Sequence, residues 1–384
     1  MILHLAEDEK FIDVVIKEFE NSVPNESIYL INVPDLKYEL KYIHNIDIVK
    51  CFPYKSEEYK YFINDLKSYD AVILHNFYTS YKWQIVLTAP FGVNFHWMCW
   101  GADLYSLPTL YNKFLLPKTK NTVQSLNSPA PYSIRKSLNK LINRIALKRI
   151  SSVSTVLPYE YELIKRYISN SIKYYSFKYG YIELLTKGIL NYDFGNDILL
   201  GNSASFTNNH IDTLYYLKEI GVRQNLVTPL SYGNTNYAKL VNKLGNQLFS
   251  NQFKPLVDFL PLEKYNEILK SCGNVIMNNL RQEGMGNIII SLWAGKRVFL
   301  NKNSPVYSYF KNNSLVVFKI EELNQLEQLP NFKELAIVNR PIIEKLYSYN
   351  TVIDEVKKLI NELKGVKNQK KPFLHYSKNR NELS

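Results

Sequence analysis

Residues 274–301 read NVIMNNLRQEGMGNIIISLWAGKRVFLN. The apolar run 275–277 has the length and composition of a strand, and the polar turn after it carries Gly284 and Gly286, the only Gly-x-Gly of the chain. An apolar helix is predicted from about Asn287; Ala294-Gly295-Lys296 stops it, and residues 297–300 begin a new strand. The whole is one β-loop-α-β unit. Its loop brings glycines and free backbone N–H groups to a helix N-terminus, where orphan donors and the macrodipole favour an anion such as a diphosphate. A turn that needs small residues only for packing reads much the same. Glycine is scarce here, however, at 14 in 384 residues, and two around one residue in a polar loop argue for close approach of a ligand.

The length suits two domains of ordinary size, and 46% hydrophobic residues are enough for two cores. Outward from the opening unit, strands are predicted at 2–5, 28–31, 46–51, 71–74, 93–98 and 152–157. Helices are predicted at 9–21, with Phe11, Val14, Val15 and Phe19 on one face, and at 57–66, 82–88 and 159–168. A second series begins with a strand at 198–200 and a helix at 210–220, continues with a strand at 224–228 and a helix at 237–248, and ends in the opening unit. The expectation is an α/β protein of two Rossmann-like doubly wound domains facing a cleft, the first over 1–185 and the second over 186–365. Helices at 329–363 are expected to pack back across the cleft, and residues 366–384 to form a polar tail.

No apolar run approaches the roughly 18 residues of a membrane span. The start MILHLAEDEK turns acidic after six residues, so neither a transmembrane helix nor a signal peptide is expected, and the protein should stay in the cytoplasm. Cys51, Cys99 and Cys272 lie far apart, which argues against a disulfide framework and a structural zinc site. The formal net charge of +12 is unevenly placed: between Leu104 and Tyr159 there is no acidic residue but nine basic ones. Within that segment the helix predicted at 133–150 has Ile134, Leu138, Leu141, Ile142 and Ile145 at helical spacing, with Arg135, Lys136, Lys140, Arg144, Lys148 and Arg149 between them. Such a cationic amphipathic helix suits an anionic bilayer surface. A core helix with a solvated basic face is the plainer alternative.

Three loops of the second half follow strands and so share one sheet edge: Gly201-Asn202-Ser203, the turn with Tyr232 and Gly233, and the loop with Arg281, Gln282, Glu283, Gly284, Gly286 and Asn287. Together they make a cradle for a nucleotide diphosphate; taken singly, each is also ordinary turn and cap chemistry. In the first half Asp8, His75 and Asp103 each stand at the carboxyl end of a predicted strand, and any of them can take a proton from an acceptor hydroxyl. Asp103 is the preferred base, because it sits in Trp100-Gly101-Ala102-Asp103-Leu104-Tyr105, where Trp100 and Tyr105 can stack on a sugar ring. Structural capping, or a satisfied core histidine, is the competing account of each.

The W-G-A-D-L-Y loop at 100–105, with Asp8, His75, Gly201-Asn202-Ser203, Asn209-His210, Tyr232-Gly233 and Arg281-Gln282 before the two glycines, resembles the Fuc4NAc (4-acetamido-4,6-dideoxygalactose) transferases of enterobacterial common antigen assembly, glycosyltransferase family 56. The loop at 283–296 is also similar to the sugar-nucleotide loop of GT-B glycosyltransferases. The resemblance implies a peripheral protein of the inner membrane's cytoplasmic face, moving its sugar from a dTDP donor to an undecaprenyl-diphosphate-linked oligosaccharide. Two positions depart from these patterns. Ser291 stands where many GT-B enzymes carry a second Glu, and Met98 where a His is expected, with His96 displaced by two.

The expectation is therefore a metal-independent glycosyltransferase without cofactor, with a nucleotide-sugar donor, a lipid-linked acceptor, and no nucleic-acid partner. A capsule or O-antigen transferase using another nucleotide sugar would read alike. A nucleic-acid-binding protein fits 30 Tyr and a pI near 9.2, but the charge is confined to one segment and no nucleic-acid motif appears. A sugar-nucleotide epimerase or hydrolase on the same scaffold leaves the basic helix without a role.

Overall fold

The computed structural model describes residues 1–107, 109–110, 113–126, 134–186, 194–258, 260 and 262–369. The first half alternates strand and helix as β1 (Ile2–Glu7), α1 (Ile12–Ser22), β2 (Ser27–Asn32), β3 (Val49–Phe52), α2 (Glu57–Ile63), β4 (Ala71–His75), α3 (Ser80–Thr88) and β5 (Phe95–Cys99). A short helix α4 (Ala102–Tyr105), then α5 (Pro117–Leu126) and α6 (Ile134–Leu147), precede β6 (Ser152–Thr155), α7 (Pro158–Tyr167), β7 (Lys173–Tyr174) and α8 (Ile182–Leu185). Among the described residues the seven strands form one parallel sheet in the order β3-β2-β1-β4-β5-β6-β7. Strand order therefore reverses between β1 and β4.

The second half runs β8 (Ile198–Leu200), α9 (His210–Glu219), β9 (Leu226–Pro229), α10 (Thr235–Phe249), β10 (Phe253–Leu256), α11 (Leu262–Ser271) and β11 (Asn274–Met277). It continues as α12 (Met285–Ala294), β12 (Arg297–Leu300), α13 (Pro305–Asn312), β13 (Phe318–Lys319), α14 (Phe332–Tyr347) and α15 (Tyr349–Gln369). Its six strands pair in parallel as β10-β9-β8-β11-β12-β13, with the reversal between β8 and β11. Both halves are doubly wound, as the alternation of short apolar runs and helices predicts. The inner strands β1, β4, β8 and β11 are buried on both faces, and near-continuous apolar runs satisfy that.

The chain does not keep to two separate blocks. Helix α15 returns to the first half, where Val356, Leu359, Ile360 and Leu363 join the core built on Ile2, Phe19 and Ile31. In the opposite direction, α5 leaves the first half and lies on α9 of the second. The backbone N–H groups of Lys118 and Thr119, in its first turn, donate to the Asp212 carboxylate at 2.9 and 2.7 Å, and Leu116 N–H donates to Asn209 Oδ1 at 2.8 Å. A helix of one half is thus capped by a side chain of the other, through donors a helix start cannot satisfy itself. The division expected at 185/186 borders residues 187–193, and most of the expected tail, 370–384, lies outside the described residues.

Candidate functional site

The three loops of the second half are tied to one another. Gly284 has φ +68°, and a Cβ on it would come within 3.3 Å of the Asn202 side chain. Ala204 N–H donates to Tyr232 O at 2.6 Å and Asn234 N–H donates to Ala204 O at 3.0 Å. A Cβ on Gly233 would meet the Ala204 backbone at 2.7 Å. The ends of β8, β9 and β11 therefore form one surface, at the reversal of strand order where open α/β sheets bind ligands. Around it Glu283 takes Arg281 at 3.0 Å, Asn279 Nδ2 at 3.0 Å, Asn208 Nδ2 at 3.4 Å and the Thr207 hydroxyl. Two carboxamide oxygens of this surface, Asn202 Oδ1 and Asn279 Oδ1, are buried with no hydrogen-bond partner among the described residues, a costly condition. Helix α12 begins at Met285, two residues before its predicted start, so Gly286 falls in its first turn. Nothing lies within 4 Å of a Cβ built on Gly286, which leaves open space beside the helix N-terminus. Asn287 follows it, half-buried in the same turn, and Ser203 is buried with its hydroxyl 3.3 Å from Asn208 Nδ2.

The three candidate bases of the first half are all committed to the fold. Asp103 is 3% exposed; its Oδ2 accepts from Trp97 Nε1 at 2.6 Å and Phe77 N–H at 3.0 Å, and its Oδ1 from the N–H groups of Trp100 and Leu104 at 3.1 and 3.2 Å. Burial pushes its carboxyl above the usual carboxylate range, against the pull of the Trp97 and Phe77 hydrogen bonds. His75 is buried with Nε2 2.9 Å from His4 Nδ1, and burial followed by the neighbouring His4 holds it well below its ordinary value. Asp8 accepts from the N–H groups of Lys41, Tyr42 and Ile43 at 2.6, 3.1 and 3.2 Å and so anchors the loop after β2. Asp103 and Asp8 do capping jobs, because a short acid after a strand meets the free N–H groups of the neighbouring loop before it meets a ligand; His75 caps nothing, and its Nδ1 is buried with no partner among the described residues.

The expected sugar-stacking pair is also placed otherwise. Tyr105 is 6% exposed, with its ring over the Arg281 guanidinium at 4.9 Å and its hydroxyl 3.5 Å from Gln282 N–H, so it joins the two halves. Gln282 is itself buried there. Trp100 packs among Phe11, His75 and Tyr179.

Sequence reasoning overlooked Glu7, Glu9 and Asn208, and met Asn209 only within the family resemblance. The signal for Glu7 is the alternation in β1: Leu3 and Leu5 face the α3 side, and a strand extended by two residues puts Glu7 in phase with them. Asn209 is in the left-handed region at φ 52° and bonds Phe114 O, Thr207 O and Asn278 O through Nδ2. Asparagine tolerates that conformation, but no one-dimensional pattern marks it.

Two parallel doubly wound sheets with their strand ends turned toward a shared cleft define a GT-B glycosyltransferase fold. Among solved structures, sucrose-phosphate synthase from Thermosynechococcus elongatus superposes with a TM-score of 0.63 at 9% identity, over 94% of this chain and 99% of that one. HepE from Anabaena, in complex with UDP, gives 0.63 at 11% identity over 94% and 100%. A glycosyltransferase from Rickettsia africae gives 0.59 at 14% over 95% and 98%. Residues 131–358 match the family described as 4-alpha-L-fucosyltransferase, glycosyl transferase group 56. The chain belongs to this family, and it is a glycosyltransferase.

Two outcomes follow from this geometry. Asp103→Asn puts an amide N–H against the donors of one oxygen, either Trp97 and Phe77 or Trp100 and Leu104, so it should lower stability by about 2–4 kcal/mol, read as a fall in Tm, instead of removing a proton acceptor from an intact enzyme. A Cβ on Gly286 has no neighbour within 4 Å and the residue keeps an ordinary φ, so for Gly286→Val Tm should hold while donor KM rises at least tenfold by order of magnitude. An unchanged KM leaves the loop with a packing role only. Gly284→Val tests less cleanly, because its positive φ strains any other residue.

Proposed function

We propose that this glycosyltransferase moves Fuc4NAc, or a similar deoxyamino sugar, from a dTDP-sugar to an undecaprenyl-diphosphate-linked oligosaccharide in bacterial surface polysaccharide synthesis, at the cytoplasmic face of the inner membrane. The observation that carries the donor half of this reading is the laced surface of Asn202, Tyr232 and Gly284–Gly286, with its unpartnered amide oxygens and open helix N-terminus. Gly201, Ser203, Gly233, Arg281, Gln282, Glu283 and Asn287 complete the donor site. HepE, on the same fold, is in complex with UDP. Ser291, where many GT-B enzymes have a Glu, is buried in α12 and offers no carboxylate, which favours a deoxyribose over a ribose. The leaving diphosphate is met by backbone N–H groups at the α12 N-terminus and by Arg281, and the transfer runs without a metal.

The membrane half of the reading rests on α6. Leu138, Leu141 and Ile145 are 52, 55 and 48% exposed along one face, with Arg144 and Lys148 exposed beside them. The opposite face, with Asn143, Ala146 and Leu147, is buried, so the apolar stripe is surplus to the core. Arg149 is differently used: its guanidinium donates to the carbonyls of Leu87, Ala89 and Pro90 at the end of α3. The side chains of Arg135, Lys136 and Lys140 lie outside the described residues.

A panel of radiolabelled nucleotide sugars offered with bacterial membrane extract tests the donor and acceptor together. Label from dTDP-Fuc4NAc should enter the lipid fraction, whereas label from a UDP- or GDP-sugar alone would point to a capsule or O-antigen transferase. Membrane binding has its own readout. Arg144→Glu with Lys148→Glu should release the protein from anionic liposomes, since each basic residue contributes about 1 kcal/mol there, and added salt should do so for wild type. Pelleting that ignores both changes removes the membrane role.

A further inference from the structure

The first sheet reverses its strand order between β1 and β4, so its crevice opens beyond Glu7 on one side and His75 on the other. The groups there are mostly closed on one another. Glu7 Oε2 takes Lys82 Nζ at 2.7 Å and Asn76 Nδ2 at 3.2 Å, and Glu7 Oε1 accepts from the Thr79 hydroxyl at 3.1 Å. Lys82 is wholly buried and also donates to His75 O at 2.5 Å and Asn76 Oδ1 at 3.2 Å. Asn76 is left-handed at φ 60°, a conformation that side-chain residues rarely adopt and that the Glu7 and Lys82 bonds hold in place.

Glu9 is the exception. It follows β1 by two residues, is half-buried, and among the described residues its one side-chain hydrogen bond is a long one from the Tyr78 hydroxyl, at 3.5 Å. The next residue reaches the other half: Lys10 Nζ lies 5.9 Å from the ring centre of Tyr232, in the turn after β9. Glu9 therefore stands where the crevice of the first half meets the donor surface of the second, with oxygen lone pairs to spare. Its charged or titratable neighbours include Glu7, Asp8, Lys82 and Tyr78, and Tyr38 from the loop after β2.

We propose that Glu9 takes the proton of the acceptor hydroxyl during transfer, with the Tyr78 hydroxyl positioning its carboxylate beside the β1/β4 crevice; this rests on the glycosyl-transfer reading above. The acceptor oxygen forms its bond to C1 of the donor sugar, and the bond from C1 to the diphosphate oxygen breaks with its electron pair leaving on the nucleoside diphosphate. The hydroxyl proton passes to Glu9 and then to water. Burial, followed by the charge of Glu7, pushes the Glu9 carboxyl above its usual range, which brings it nearer the working pH of a base.

The test uses the full chain with whichever donor and acceptor the wild type turns over, so an error in the donor assignment appears in the wild type and the role of Glu9 is judged from the variant-to-wild-type ratio. Glu9→Gln should lower kcat by about 10²–10⁴-fold, with donor dissociation constant and Tm unchanged. The acid limb of the wild-type kcat profile, where activity falls as Glu9 takes up a proton, should be missing from the residual rate. Glu9→Asp, which keeps the charge but shortens its reach, should recover part of the loss and decides the matter if Glu9→Gln does not fold. A kcat within about threefold of wild type in a folded variant, or a loss of rate matched by equal loss of donor affinity, overturns the assignment.

Discussion

A buried carboxylate with no cation against it must be met by N–H donors or it costs several kcal/mol, and at Asp103 four such donors come from two neighbouring strand ends. Phe77 N–H belongs to the loop after β4, while Trp97, Trp100 and Leu104 belong to β5 and the turn after it. One side chain thus fixes two loops of the cleft floor relative to each other. The turn itself depends on Gly101, at φ +93°, where a Cβ would stand 2.6 Å from Gln282 Oε1 of the second half. The contiguous run Trp100-Gly101-Ala102-Asp103 accordingly serves both the floor of one half and its close approach to the other. Both roles are structural.

The two sheets were legible because both strand and helix signals rest on apolar periodicity, which burial on both faces enforces. The runs at 2–5, 71–74 and 275–277 each sit inside an observed strand. What escaped was whatever lacked that signal. The edge strand β7 has two residues, and β10 carries Pro255. Helix α5 is polar along most of its length, and its N-terminus is satisfied from ninety residues away in sequence by Asp212. A cap supplied across the chain leaves no mark beside the helix it serves.

The site divided along a similar line. That three loops of the second half share one edge was readable because glycines and small polar residues follow its strands, a relation fixed by sheet geometry alone. For the acids, position at a strand end was readable, but commitment was not. Glu7, Asp8 and Glu9 occupy three consecutive places and differ in what each meets among the described residues: a buried lysine with Asn76 and Thr79, three loop N–H groups with the Tyr38 hydroxyl, or the Tyr78 hydroxyl alone. That difference comes from the strand's two-residue alternation and from segments folded against it, both tertiary.

The bonds from Leu116, Lys118 and Thr119 to Asn209 and Asp212 carry a lesson for anyone who wishes to recombine such enzymes. Asn209 sits beside the Asn208 and Thr207 side chains that hold Glu283, so the strap from the first half is wired into the loops after β8 and β11. A chimera spliced at the crossing near residue 186 would inherit α5 from one parent and its receptor helix from the other, stranding the start of α5 without its carboxylate. The unit of modular exchange is the second half together with residues 114–126, two pieces of chain that must come from the same parent.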